Sequence, residues 1–341
     1  MSVSRLVGGL AARGIDVTVI APGSAAEWQP RPGVKVISVP GEERWGLIRN
    51  FRRWRSGVQR VLTSVHPDIV HGQGLPVPGA AAVGSGTVAP CVITAHGSAR
   101  HDTSIGSNGK AARARSLMLR FRSVAAIRAA DAVIGVHPDW RVNLPKPTAG
   151  FVYIPNIVDA AYYAGRRRPV RGRVLFSGGS REIKGWDVLA AAWPSVEAAV
   201  LHAHLSVVGW WGDPPIEIRG SVAITGQLAS QQMVAAMEQA EVVVIPSRYE
   251  VAPVVLAEAW ALGVPVVATS VGGIPTLAEG AAVLVPSEDP RALAEALIGV
   301  LNGAVACRGL VLEGAKRAQA FSAEAVVGAH LRLYEELLAR P

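Results

Sequence analysis

Short apolar runs of strand length alternate with stretches of helical periodicity from one end of the chain to the other. In the first half the runs are Val17–Ile20, Val34–Val39, Ile69–Val70, Val92–Thr94, Ala132–Ile134 and Val152–Ile154. In the second half they are Val174–Ser177, Leu205–Val208, Val222–Thr225, Val242–Ile245, Val264–Ala268 and Ala282–Val285. These runs are continuously apolar, so both faces of each strand are expected to be buried, as in parallel sheets covered by helices on both sides. The segment GRRRPVRGR, 165–173, is charged, carries Pro and Gly, and separates the runs into two sets. The pattern predicts an α/β protein of two doubly wound domains facing one cleft, 1–165 and 166–341. A helix is predicted over Ser4–Arg13, another after Asp289-Pro290, and a last one after Ser322.

With 341 residues, half of them apolar, the chain is long enough to bury two cores. Its mean hydropathy of +0.29 raises the question of a membrane span. No run of about 18 residues is apolar and free of Pro, Gly and charge, so the sequence predicts a soluble chain without one. The opening MSVSRLVGGLAARG lacks the order of a secretory signal. Two cysteines, Cys91 and Cys307, lie in separate halves and suggest no disulfide framework, which points to the cytoplasm.

Charge is unevenly placed. Residues 1–169 hold 22 Lys and Arg against 9 Asp and Glu, a net of +13; residues 170–341 hold 12 against 17, a net of −5. The basic excess concentrates in WGLIRNFRRWRSGVQRV, 45–61, and KAARARSLMLRFRSVAAIRAA, 110–130, both readable as basic amphipathic helices. Trp45, Phe51, Trp54 and Phe121 accompany the arginines, a pattern that suits an anionic bilayer surface, though a solvated arginine-rich face reads the same way. No nucleic-acid recognition motif is present, so a nucleic-acid partner is not expected.

The chemistry concentrates in PSRYEVAPVVLAEAWALGVPVVAT. Glu250 falls on a loop after an apolar strand, and Glu258 falls inside the following helix, predicted over Pro253–Leu262 with the proline in its first turn. At helical rise the two carboxylates could stand about 12 Å apart. An anion at the helix start would meet unpaired amides and the positive helix end. Two glutamates could equally cap and solubilise helix ends.

This segment resembles the glutamate, seven residues, glutamate signature of retaining glycosyltransferases of family 4, which have the GT-B fold of two Rossmann-like domains. The resemblance implies a nucleoside-diphosphate sugar as donor substrate and no cofactor or metal. Glu250 is then expected near the sugar and Glu258 on the ribose. In FSGGSREIKGWDVLAAAW, Lys184-Gly185 matches the family's Lys-Gly, whereas the family's arginine position is Gly179 here; Arg181 could reach the same phosphates. In TAHGSARHD, His96 ends a strand where the family places a histidine beside the donor sugar, with His71 and His101 nearby in sequence. IPNIVD, 154–159, resembles the hinge-adjacent Ile-Pro-Asn-Gly-Val-Asp, with Ile157 for Gly. TSVGGIPTLAEG, 269–280, resembles the Gly-Gly-Ile-Pro turn, with Thr276 where an acidic residue is frequent. Val251, Ala252 and Pro253 replace the family's Gly-Phe-Gly.

The resemblance runs in family order from roughly residue 4 to 335, and by it the last helix is expected to pack back on the first domain. Family members open with a strand and a Gly-Gly loop that have no counterpart here, so the first sheet is expected to lack a central strand; if the natural protein begins at Met1, weak activity or poor solubility is the expected consequence. The implied reaction transfers a sugar to an acceptor hydroxyl with retention, in cell-surface polysaccharide or glycolipid synthesis, on a glycan or lipid-linked acceptor. Glu250, His96 and Lys184 are the expected catalytic residues; Glu258, Arg181, Gly179 and the amides of Val254 and Val255 are expected to bind the donor. A sugar-nucleotide 2-epimerase and a non-catalytic nucleotide-sugar-binding relic are the competing readings. A nicotinamide oxidoreductase is disfavoured, since Gly84-Ser85-Gly86 lacks a third glycine and an acidic partner.

Overall fold

A computed structural model describes residues 2–22, 32–39, 51–84, 86–97, 110–143, 150–210, 212 and 221–340. The chain forms two compact units, Met1–Asn156 with Ala323–Pro341, and Ile157–Ser322. Trp45, Ser85 and His101 lie outside the described residues.

The first unit starts with helix α1 (Ser2–Ala11), two residues ahead of the predicted start, and a parallel pair of strands, β1 (Val17–Pro22) and β2 (Val34–Val39). Helix α2 (Phe51–Val65) leads to β3 (Val70–Gln73), α3 (Ala80–Val83), β4 (Cys91–Ala95), α4 (Lys110–Ala129), β5 (Ala132–Gly135) and β6 (Gly150–Tyr153). Strands β3 to β6 pair in sequence order, all parallel, and among the described residues β1 and β2 form a separate sheet. Val92, Ile93, Ala95, Val133 and Ile134 are wholly buried, which is why the sequence reads as unbroken apolar runs there. The polar end of β3, His71-Gly72-Gln73, escaped the apolar pattern; its strand continues because His71, Gly72 and Gln73 pair with Val92, Ile93 and Thr94 of β4.

The second unit contains α5 (Ala160–Ala164), β7 (Arg173–Phe176), α6 (Trp186–Ala199), β8 (His204–Val208), β9 (Val222–Thr225), α7 (Ser230–Glu238) and β10 (Val242–Ile245). It continues with α8 (Val254–Ala261), β11 (Val266–Thr269), α9 (Ile274–Ala278), β12 (Val283–Val285), α10 (Pro290–Leu301) and α11 (Cys307–Ala318). Its six strands form one parallel sheet in the order β9-β8-β7-β10-β11-β12. Alternate residues feed different cores. Leu175, Val243 and Ile245 pack with Leu256 and Trp260 on one face, while Val174, Phe176, Val242 and Val244 pack with Leu189, Leu293 and Leu297 on the other. Asp289 caps α10 by accepting from the Ala292 amide at 2.9 Å.

The boundary between the units falls after Asn156, ahead of the segment 165–173 in which the sequence places the linker. Two features attach residues 157–165 to the second unit: the Val158 amide donates to the Phe321 carbonyl at 2.9 Å, and Tyr162 is buried in the core with Met237 and Trp260. The charged segment itself is tied down, with the Arg166 amide on Glu238 Oε1 at 2.7 Å and the Gly172 amide on Glu241 Oε2 at 2.5 Å. The last helix, α12 (Ala323–Leu338), belongs to the first unit and packs on α1, where Gly9 leaves room for Val327.

Candidate functional site

In the second unit the strand order reverses between β7 and β10. The chain runs from β7 outward through β8 and β9, then returns to the other side of β7 and runs outward through β10, β11 and β12. Adjacent parallel strands whose following segments diverge leave a crevice at their carboxyl ends, where open α/β sheets bind ligands. The loops after β7 and β10 start at that point, and they carry Lys184 and Glu250. Lys184 Nζ stands 2.5 Å from Glu250 Oε1, and the Ser247 hydroxyl donates to the same oxygen at 2.9 Å. The Glu250 side chain is 10% exposed and that of Lys184 24%, so the pair is held at the rim of the interior. The sequence treated this lysine and this glutamate as separate contacts; folding joins them.

Arg248 and a glycine fix this geometry. The Arg248 amide donates to the Ile183 carbonyl at 2.8 Å, and its Nη1 donates to the Glu182 carbonyl at 2.7 Å. Its guanidinium also grips both carboxylate oxygens of Asp187 at 2.7 Å and meets Glu288 at 3.1 Å. The two loops are thereby stitched together, and the bidentate pair holds the Asp187 carboxyl below its usual range and raises the Arg248 guanidinium. Neither Arg248 nor Ser247 was singled out from the sequence; a basic residue between a strand end and the first glutamate was the available signal. At Gly272, φ is +54° and a Cβ would lie 1.9 Å from the Glu250 carbonyl, which itself accepts from the Gly273 amide at 2.9 Å. The Gly-Gly-Ile-Pro turn therefore supports Glu250 directly.

Helix α8 begins at Val254, one residue later than predicted, with Pro253 as its N-cap in an extended conformation. The Leu256 amide turns back to the Pro253 carbonyl, and helical geometry leaves the amides of Val254 and Val255 without an intrahelical acceptor. Glu258 lies one turn into α8 and is half-buried. Lys184 ends a short 3₁₀ turn, Glu182–Lys184, for which Arg181 is the N-cap; the Arg181 side chain is exposed. Gly179 has φ +62°, and a Cβ there would lie 2.1 Å from the Gly209 carbonyl. An arginine in this position would be both strained and in collision, so the loop's path accounts for the departure from the family pattern.

In the first unit His96 follows β4, as the sequence predicts. Its Nε2 lies 2.8 Å from Gln73 Oε1, and burial pulls its pKa below 6.5, opposed by a hydrogen bond with the Asn156 side chain. His71 is enclosed among Thr94, Tyr334 and His330. Gln73 was not singled out from the sequence, since a lone glutamine at a strand end carries no motif.

Two family models match this chain, Glycosyltransferase Family 4 over residues 1–162 and Glycosyl transferases group 1 over residues 171–303. The phosphatidyl-myo-inositol mannosyltransferase of Mycolicibacterium smegmatis is 33% identical over 198 residues, covering 54% of this chain; the match spans 51%, about half, of that protein's length. The putative teichuronic acid biosynthesis glycosyltransferase TuaC of Bacillus subtilis is 26% identical over 330 residues, covering 83% of this chain and 80% of its own. Sucrose-phosphate synthase from Thermosynechococcus elongatus superposes with a TM-score of 0.82 at 23% identity, over 99% of this chain and 92% of that one, so the two share the GT-B fold. Taken with the Glu250 and Lys184 loops at the strand-order reversal, these matches show that the chain belongs to family 4 of the glycosyltransferases, the glycosyl transferases group 1.

Proposed function

We propose that this chain is a retaining glycosyltransferase that moves a sugar from a nucleoside-diphosphate sugar to an acceptor hydroxyl. The observation that carries the reading is the Lys184–Glu250 pair at the reversal of strand order, on the loop that leads into α8. When the bond from the sugar to the diphosphate breaks, negative charge grows on the departing oxygens. Groups already fixed to receive that charge stabilise the transition state more than the ground state. Lys184 supplies an ammonium, the Val254 and Val255 amides supply the positive end of a helix, and Arg181 is a second cation on the Lys184 loop. Glu250 takes the sugar hydroxyls, Glu258 the ribose, and His96 orients the sugar. In the free protein Glu250 holds the lysine in place, so the cation is positioned before the donor arrives.

The acceptor is assigned to cell-surface polysaccharide or glycolipid synthesis, with the enzyme peripheral on the inner face of the membrane. The names of the two relatives support that assignment, and so does the surface of α4. Arg113, Leu117, Arg120, Phe121 and Arg128 recur along one exposed stripe there, with Phe121 68% and Leu117 53% exposed. No described helix is long and apolar enough to cross a membrane.

The test is transfer from a panel of nucleotide sugars by the full chain and by Glu250→Gln, Glu250→Ala and Lys184→Ala. We expect kcat to fall about 10²–10³-fold in each, the scale of losing one preorganised group facing developing charge. Variants within a few-fold of wild type, with native near-ultraviolet circular dichroism, would remove the assignment. Isomerisation of the donor without acceptor would mark an epimerase instead.

A further inference from the structure

Strands β3 and β4 and helix α12 bring together, inside the first unit, a run of polar side chains that the transfer chemistry above leaves unused and that ends on His96. The Tyr334 hydroxyl lies 2.6 Å from His71 Nδ1, and Thr94 Oγ1 lies 2.7 Å from His71 Nε2. The Gln73 amide nitrogen is 3.2 Å from that same Nε2, and Gln73 Oε1 is 2.8 Å from His96 Nε2. The rings of His71 and His330 stand 5.7 Å apart, and His330 Nδ1 donates to the Val326 carbonyl at 2.8 Å.

With the Gln73 amide oriented as it stands, nitrogen toward His71 and oxygen toward His96, these contacts set where the hydrogens sit. An amide nitrogen only donates, so His71 Nε2 accepts from Gln73, and the Thr94 hydroxyl donates to it as well. Burial, then His330 and His96, pushes the His71 pKa well below 6.5, so its ring is neutral at pH 7 and keeps one hydrogen, on Nδ1. That hydrogen goes to the Tyr334 oxygen. Burial also raises the Tyr334 phenol, which stays protonated. With the Gln73 nitrogen committed to His71, its oxygen faces His96, and an oxygen without a hydrogen requires the proton on His96 Nε2. The bonds run in one direction, from His96 to Gln73 to His71 to Tyr334.

We propose that Gln73 is a positioning residue for His96, fixing its ring in the tautomer with hydrogen on Nε2, and that His71 and Tyr334 hold Gln73 in that orientation from the last helix. The proposal rests on the reading of His96 as a participant in sugar transfer. It explains why β3, apolar at Val70, turns polar in its last turns of sequence, where leucine or valine would pack without any demand for partners. It also gives α12 a function besides packing: the far end of the chain stabilises the state of a residue at the end of β4.

Histidine-selective ¹⁵N NMR of the full chain reads the tautomer and pKa of His96, and kcat and donor KM read the consequence. The titratable groups acting on this ring are His71 from β3, His330 from α12 and the amino terminus of the chain, whose positive charge lowers its pKa, with Asn156 hydrogen-bonded to it. In Gln73→Leu we expect His96 to lose its single Nε2–H tautomer and kcat to drop about tenfold, with donor KM within about twofold. In Gln73→Glu, which keeps the size and the acceptor, a carboxylate against Nε2 should raise the His96 pKa by about 1–3 units. Tyr334→Phe should disturb His96 in the same sense as Gln73→Leu, by a smaller amount. A His96 tautomer and pKa unchanged in both Gln73 variants, with the fold intact, overturns the proposal. A shifted His96 with unaltered kcat upholds the relay and removes His96 from the reaction.

Discussion

Burial holds His71, His96 and His330 below their ordinary pKa of 6.5. The unfolded chain takes up a proton at each near pH 6.5, while the folded chain does so only at lower pH, so the unfolded state binds more protons in the interval between. Stability is therefore complete above about pH 6.5 and is lost as the pH falls through that value, each histidine adding up to about 1.4 kcal/mol per pH unit. Calorimetric melting should be flat between about pH 8 and 7 and should decline steadily from about 6.5 to 5.5; a flat profile across that lower interval would contradict the burial of these rings. His96 itself was legible in the sequence because it follows an apolar strand. Gln73 was not, and His71 stood out only as a histidine of the same region, because only pairing across β3 and β4 brings the two to it. Gly179 was legible as a departure from the family pattern, and its cause became visible only as a positive φ facing the Gly209 carbonyl.

At the scale of elements, the strands were the most legible part of the fold. A strand buried on both faces shows in sequence as an unbroken apolar run, and β2, β9 and β10 fall on the predicted boundaries. The basic helices were legible as helices, but periodicity does not say which side of an aromatic ring faces the core. Trp54 is 4% exposed and packs with Val39, Val58 and Val77, and Phe51 lies under the Arg122 guanidinium at 4.1 Å. Helix α2 thus presents Arg52, Arg53, Arg55 and Arg60 without an aromatic anchor, while α4 presents Leu117 and Phe121 between arginines. Cosedimentation with vesicles of anionic lipid should be salt-sensitive and should weaken about tenfold in Leu117→Ser/Phe121→Ser, since two apolar side chains leave the interface. Equal binding by the double variant would assign any attraction to charge alone, and no binding at low salt would remove the membrane surface as a partner.

For the whole molecule, the sequence carried the division into two α/β units and the family, because the matched segments recur in order along nearly the full chain. It places the boundary at the charged segment 165–173, because Pro, Gly and clustered charge read as linker there, whereas residues 157–165 join the second unit through the hydrogen bond of Val158 to Phe321 and the burial of Tyr162. The strand-order reversal was invisible in sequence, because order in a sheet is decided by which strands pair. That reversal brings the loops of Lys184 and Glu250 together, and the proposed activity rests on it. The most direct measurement is isothermal titration calorimetry of the full chain with UDP-, GDP- and ADP-hexoses. One of them should bind with a Kd of roughly 1 μM to 1 mM, in the range of enzyme substrates, and at least about tenfold more weakly to Lys184→Ala. No heat with any of the three, or binding undiminished in Lys184→Ala, would contradict the proposed activity.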